Sequence, residues 1–211
     1  MPQELTAEKI ITFKGHLKGQ RSNFDTYYQT LHDYFYVEAE NINRTYYPGT
    51  ELDFLYLLDG TSLELADTLA SGIANYLTPS ASNWFTLEHP DRALRDQKNV
   101  RLWMQDVADE VNFVLNRSNF YNQMPIFYKG SGVYGTSVLI LEDDPEDEIR
   151  FYNLPIKSCY VVEDAREKPL EYYLTFEFTA EQAYTKFGNK VDGDVVDCLK
   201  EKRNPHQPYS Q

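Results

Sequence analysis

The sequence is poor in cysteine, in cations and in long apolar runs, and each shortage argues against a class of protein. Its two cysteines, Cys159 and Cys198, lie far apart. They allow one disulfide, but a chain of 211 residues does not depend on one, and reduced thiols are the default reading. No stretch approaches the roughly 20 apolar residues that span a bilayer, so no membrane partner is expected. The start, Met1-Pro2-Gln3-Glu4, has no basic segment followed by an apolar one and is not read as a signal peptide. The expected setting is the cytoplasm, or a particle assembled there. Lysine and arginine total 20 against 33 aspartates and glutamates, a net charge of −13. Holding phosphates takes neutralising cations, so sequence-specific recognition of DNA or RNA is not expected. An acidic surface beside DNA repels it, which suits a wall that DNA slides past.

Signatures of catalysis are missing too. There is no G-x-S-x-G elbow to activate a serine, and Ser131, in Gly130-Ser131-Gly132, reads better as part of a yielding helix end. The histidines His16, His32, His89 and His206 are scattered, and none has a metal-ligand partner at i+4. Gly130-x-Gly132-x-x-Gly135 has the letters of a dinucleotide loop, but it follows a helix and precedes a strand, the wrong order for a phosphate cradle. Residues 142–148 hold six carboxylates in seven positions. They lack the spacing and glycine of a calcium loop and read as a solvated hairpin turn. No metal, cofactor or catalytic residue is assigned.

What the chain has is apolar and aromatic mass: 42% hydrophobic residues, with 17 tyrosines and 12 phenylalanines. That is enough to bury a core, so general disorder is not expected. Tyrosine pairs an apolar ring with a polar tip, which fits half-buried packing on helices as well as surfaces facing other subunits. Apolar spacing predicts helices over residues 6–18 and 21–38. In the second, Phe24, Tyr27, Tyr28, Leu31, Tyr34 and Phe35 form one aromatic stripe. Residues 41–54 contain Tyr46-Tyr47-Pro48-Gly49 and read as a loop. A helix follows from about Asp59-Gly60-Thr61, with Leu65, Leu69, Ile73 and Leu77 at intervals of four. Its Ala66, Ala70, Ser71, Gly72 and Ala74 suit close packing. Thr78-Pro79-Ser80 stops it, and Trp84 to Leu87 read as extended.

Pro90 opens a helix that runs to about Asn116, with Val100, Trp103, Val107, Val111 and Val114 on a face expected to be core. Ser118 caps another helix, from Asn119 to Tyr134, with Pro125 inside it. After Gly135 the period changes from 3.6 to 2, and residues 136–142, 149–154, 158–163 and 170–179 read as strands. Thr179 caps a short helix over 180–187 that Gly188 ends, and a weaker helix spans 192–202. The fold class is α+β: an N-terminal helical layer, then an antiparallel β-sheet with a short C-terminal helix.

Three stretches carry a resemblance. The first is A-x-x-L-A-S-G-x-x-x-x-L-T-P over residues 66–79, followed by W-F-x-L from Trp84. The second is Asn116-Arg117-Ser118-Asn119-Phe120. The third runs from Gly132-x-x-Gly135 through Val138-Leu139-Ile140-Leu141 to Tyr160-Val161-Val162-Glu163-Asp164. In this order, over roughly residues 9–188, they resemble the portal, or head-to-tail connector, proteins of short-tailed double-stranded-DNA bacteriophages. Members are usually more than twice as long. The resemblance therefore implies the N-terminal part of the wing: a mainly helical part over 1–134 and a β-rich part over 135–203. Residues 204–211 are a disordered tail or the point where the longer chain is cut, and stem, clip and crown are not present.

The resemblance further implies a structural role and no enzyme activity. About twelve copies would close a ring at the capsid vertex, which needs unlike surfaces on the two sides of each subunit. DNA would be packaged and ejected through that ring, meeting its channel without specificity. The major capsid protein would surround it, and the terminase motor and the tail adaptor would dock on the missing parts. Phe24, Tyr27, Tyr28, Tyr34, Trp84 and Phe85 are the candidate subunit-interface residues, and intramolecular core is their alternative use. Two other functions stay open: an α+β hydrolase or transferase without a linear motif, and an adaptor that binds partners as a monomer. A deep pocket with converging polar groups would favour the enzyme.

Overall fold

The computed structural model of the chain describes residues 6–43, 59–145, 147–200 and 209–210. The expected loop over 41–54 lies outside the described residues except for its first three positions. The same holds for the 204–211 tail except Tyr209 and Ser210, and for His206 and Glu146.

The two helices expected over 6–18 and 21–38 are one, α1 (Ala7–Phe35). Nothing between them breaks a helix. Gly15 and Gly19 each weaken it by about 1 kcal/mol, but no proline or cap intervenes. Arg21 and Asp25 then pair across one turn at 2.8 Å. The chain forms two compact units, His16–Lys157 and a second made of Met1–Gly15 with Ser158–Gln211.

In the first unit α1 is followed by α2 (Thr61–Leu77). The N-cap is Gly60, not Asp59 or Thr61 as the sequence suggests; Asp59, one residue earlier, accepts the Thr61 N–H through Oδ1 at 2.5 Å. The helix ends just before Thr78, as expected. The single helix expected from Pro90 is broken into α3 (Arg92–Arg95) and α4 (Lys98–Arg117). Asp91 caps α3 by accepting the Ala93 N–H at 2.9 Å, and Gln97 leaves helical geometry with ψ 127°. α5 (Phe120–Tyr134) starts where Ser118 Oγ accepts the Phe120 N–H. It ends on Gly135, whose φ of 76° is the left-handed cap that glycine adopts without strain. β1 (Val138–Asp144) and β2 (Glu148–Leu154) form an antiparallel hairpin with Val138 opposite Leu154.

α2 packs on α5 through the small side chains Ala66 and Ala70, both buried. The core of this unit is Ala70, Leu115, Phe120, Met124, Tyr128 and Phe151, with Trp84, Phe85, Leu139 and Ile149 against it. Phe120 is its centre. It stacks parallel to Trp84 at 6.1 Å and meets Phe151 edge-on at 5.0 Å.

The core reading of Trp103 is corrected: the residue is 60% exposed. α4 buries a different face, Ala108, Asn112 and Leu115. Asn112 tolerates burial because its Nδ2 donates to the Ala108 carbonyl of its own helix (3.1 Å). The polar position that hid this face from a hydrophobicity count is thus satisfied locally.

In the second unit β3 (Cys159–Glu163) and β4 (Pro169–Leu174) form a hairpin. Asp164 Oδ1 accepts the N–H groups of Arg166 (2.7 Å) and Lys168 (3.0 Å), shaping the acidic turn. β5 (Glu177–Phe178) pairs with β6 (Tyr209–Ser210). α6 (Ala180–Phe187) starts with a complete capping box of Thr179 and Gln182, and α7 (Gly193–Lys200) follows. Ala180, Ala183 and Val195 form a small core. The α+β class is as expected. The strands, however, do not form one sheet over 136–179; they make three two-stranded sheets.

Candidate interaction surface

The later part of α1 packs with its polar side inward. Arg21 donates to the backbone carbonyls of Ile156 (2.9 Å) and Lys157 (3.0 Å) while holding Asp25. Gln29 donates to Asp33 at 2.7 Å. His32 is buried, and its Nε2–H donates to the Ala39 carbonyl (3.1 Å). Its other ring nitrogen, Nδ1, lies 3.1 Å from Asp33 Oδ1, so both ring nitrogens have partners. The aromatic side therefore faces out: Phe24 is 61% exposed, Tyr27 60% and Tyr34 47%.

The six candidate interface residues divide accordingly. Phe24, Tyr27 and Tyr34 are exposed. Tyr28 is half-buried and meets the Tyr134 ring edge-on at 5.8 Å. Trp84 and Phe85 lie half-buried on the core, 4.9 Å apart, and the Trp84 indole N–H donates to the Tyr121 hydroxyl (3.2 Å).

Two further apolar faces escaped the sequence reading. On α2, Leu65, Leu69 and Tyr76 are exposed. A step of four residues drifts about 40° around a helix. Leu65 and Leu77 thus do not share a face, and the neighbouring alanines take the packed side. On α4, Leu102, Trp103 and Phe113 are exposed among the exposed acids Asp106, Asp109 and Glu110.

A buried ammonium ties the helices together. Lys129 of α5, 7% exposed at its side chain, donates to Glu38 (2.9 Å) and Asp67 of α2 (2.6 Å) and sits 4.7 Å from the Tyr36 ring centre. Burial acts to lower its pKa, but the hydrogen bonds it donates to Asp67 and Glu38, with their negative charges, outweigh that and leave it raised. Tyr36 in turn stacks on Tyr134 at 6.0 Å. Burial pushes both hydroxyls above the usual tyrosine range.

Beside these residues lies a cleft of about 400 Å³, walled by Tyr36, Glu40, Ile126, Tyr134, Asn153 and Ile156 among others. Among the described residues no histidine or cysteine lines it. Ser137 Oγ at its wall donates to the Phe127 carbonyl (2.9 Å).

In the acidic hairpin turn, Asp144 pairs with Arg150 (3.3 Å) and accepts the Asp147 N–H (3.1 Å), while Glu148 pairs with Arg117 (3.3 Å). Asp144 is thus partly shielded, and not freely solvated as expected. Among the described residues no group of three His, Cys, Asp or Glu is placed to hold a metal.

The described residues thus present exposed aromatic faces on a helical scaffold. The chain belongs to the family of bacteriophage head-to-tail connecting proteins, whose family model matches residues 7–209. A relative of known designation is the portal protein of Salmonella phage epsilon15, 27% identical over 190 residues. The alignment covers 88% of this chain and 33% of that protein, so the chain spans about a third of the relative's length.

Proposed function

We propose that the chain is part of a structural subunit of a phage portal ring at the capsid vertex, the passage for DNA packaging and ejection and the attachment point of the tail. The observation that carries this is the family match over nearly the whole chain. The exposed aromatic side of α1 supports it, because a ring subunit must present apolar surface to its neighbours. On this reading the chain contributes to the wing of a ring of about twelve copies. Phe24, Tyr27, Tyr28 and Tyr34 then face a neighbouring subunit, while Trp84 and Phe85 shape the core behind them. The capsid protein is an outer partner, and the terminase motor and tail adaptor bind other parts of the protein. The net charge of −13 keeps DNA from adhering. The protein works in the virion, is assembled in the host cytoplasm, and acts as a scaffold and not as an enzyme.

The test is native mass spectrometry with electron microscopy of the protein translated through to the end of its reading frame. Closed rings of one defined copy number are expected. Monomers at micromolar concentration, with no incorporation into capsids, overturn the proposal.

A further inference from the structure

We infer that the exposed face of α2, Leu65, Leu69 and Tyr76 around Gly72, is the seat for the aromatic face of α1 from a second copy of this chain. The inference rests on the portal reading and specifies its subunit contact.

A closing ring needs two unlike surfaces on each subunit, and the unit His16–Lys157 carries both. On α1, Phe24, Tyr27 and Tyr34 form a ridge of large rings about 15 Å long at 1.5 Å per residue. On α2, the span from Leu65 to Tyr76 is about 17 Å, so the two match in length. Gly72 lies within the α2 face, and a Cβ built there meets nothing within 4 Å. Leu69, half exposed, leans toward Gly132 of α5, and the open surface at Gly72 beside it leaves room for an aromatic ring between Leu69 and Tyr76.

Charge selects this pairing over the alternative. Copies of a chain with a net charge of −13 repel one another except where acids are absent or neutralised. On α1, Asp25 is held by Arg21, and Asp33, bonded by Gln29 and beside the His32 ring, is drawn to the inward polar side and away from the Phe24, Tyr27 and Tyr34 ridge. On α2, Asp67 is held by Lys129, leaving Glu64 as its unneutralised acid. The exposed face of α4 is different: Asp106, Asp109 and Glu110 stand among Leu102, Trp103 and Phe113. A second acidic copy therefore meets fewer unneutralised acids on α2 than on α4.

The experiment uses single-cysteine additions in the protein carried through to the end of its reading frame, read against the parent's own cysteine background. Tyr27→Cys and Leu69→Cys, each first checked alone for parent-like circular dichroism, are co-expressed so that both chains enter the same assemblies, and this mixture is mildly oxidised. Leu65→Cys, one turn away, repeats the test in case Leu69→Cys perturbs packing. The expected result is a covalent dimer from the Tyr27→Cys and Leu69→Cys mixture and none above background from either alone. A dimer from Tyr27→Cys alone means that the aromatic face meets its own kind, and it overturns the inference. Closed rings by native mass spectrometry with no cross-link from any mixture overturn the pairing and leave the portal reading standing. A protein that never assembles removes the portal reading, and the pairing with it.

Discussion

Asn119 holds Phe151 by both of its backbone polar groups: the Asn119 Nδ2–H donates to the Phe151 carbonyl and Oδ1 accepts the Phe151 N–H, each at 2.8 Å. One side-chain amide thereby copies a strand neighbour and fastens the start of α5 to β2. Phe151 is 8% exposed, so losing the amide leaves its N–H and carbonyl without partners. Asn119→Ala is expected to lower stability by about 1–3 kcal/mol. Asn119→Asp keeps the acceptor but replaces the donor with a charge, and should do no better. Urea denaturation of both variants checks this, and a shift of the midpoint within error for Asn119→Ala would show the pair to be dispensable.

Trp103 and Phe120 make opposite expectations for aromatic truncation. Phe120 is buried between Trp84 and Phe151, and Phe120→Ala should cost about 3–5 kcal/mol. Trp103 is 60% exposed, and Trp103→Ala should change stability by no more than about 0.5 kcal/mol. Thermal unfolding of the isolated chain measures both. Equal losses would place Trp103 back in the core.

Lys129 sets a pH expectation. Its pKa is raised in the folded chain, so its stabilising effect is complete below the unfolded lysine value of about 10.4. The effect is lost as pH rises through the higher folded value. Lys129→Met should therefore flatten the alkaline limb of stability against pH, while the parent loses stability there. Removing both acids, Glu38→Gln with Asp67→Asn, strands the buried ammonium and should be worse at neutral pH than Lys129→Met. Chemical denaturation from pH 7 to 11 reads both effects, and superimposable curves for parent and Lys129→Met would refute this role.

The outward face of α1 should separate folding from association. The triple change Phe24→Ser, Tyr27→Ser and Tyr34→Ser removes exposed rings, so stability is expected to shift by about 1 kcal/mol or less. Self-association should fall sharply. Sedimentation velocity at low and high salt, with the parent alongside, gives the answer. Parent association should strengthen with salt, since screening relieves the repulsion between chains of net charge −13.

Features written in a few neighbouring residues were legible in advance. The Thr179 cap, the Gly135 and Gly188 helix ends and the change to strands after Gly135 are as read, because each signal lies within a turn of the element it controls. Orientation was not legible to the same degree. The aromatic stripe of α1 fits core and interface equally in a sequence, and the Arg21 contact with carbonyls 135 and 136 residues away helps to turn it outward. The break at Gln97 was missed for want of a proline or glycine. Trp103 was misplaced because four valines share its side of the helix, whereas packing used Ala108 and Leu115 beside a self-satisfied Asn112. The Lys129 tie had no sequence signal, since its partners lie 91 and 62 positions away.

The division of the strands into three two-stranded sheets bears on how fast the chain reaches this state. β1 with β2 and β3 with β4 are pairs of chain neighbours that can close as soon as each turn forms, on the order of microseconds for a hairpin. Long-range pairing is what slows β-rich chains, and among the described residues only the short β5 and β6 pair requires it. The slow event is expected to be α2 meeting α5, across the intervening α3 and α4. A kinetic experiment should accordingly find folding limited by helix docking, with substitutions at Ala66 and Ala70 acting on the folding rate and those in the hairpins on the unfolding rate.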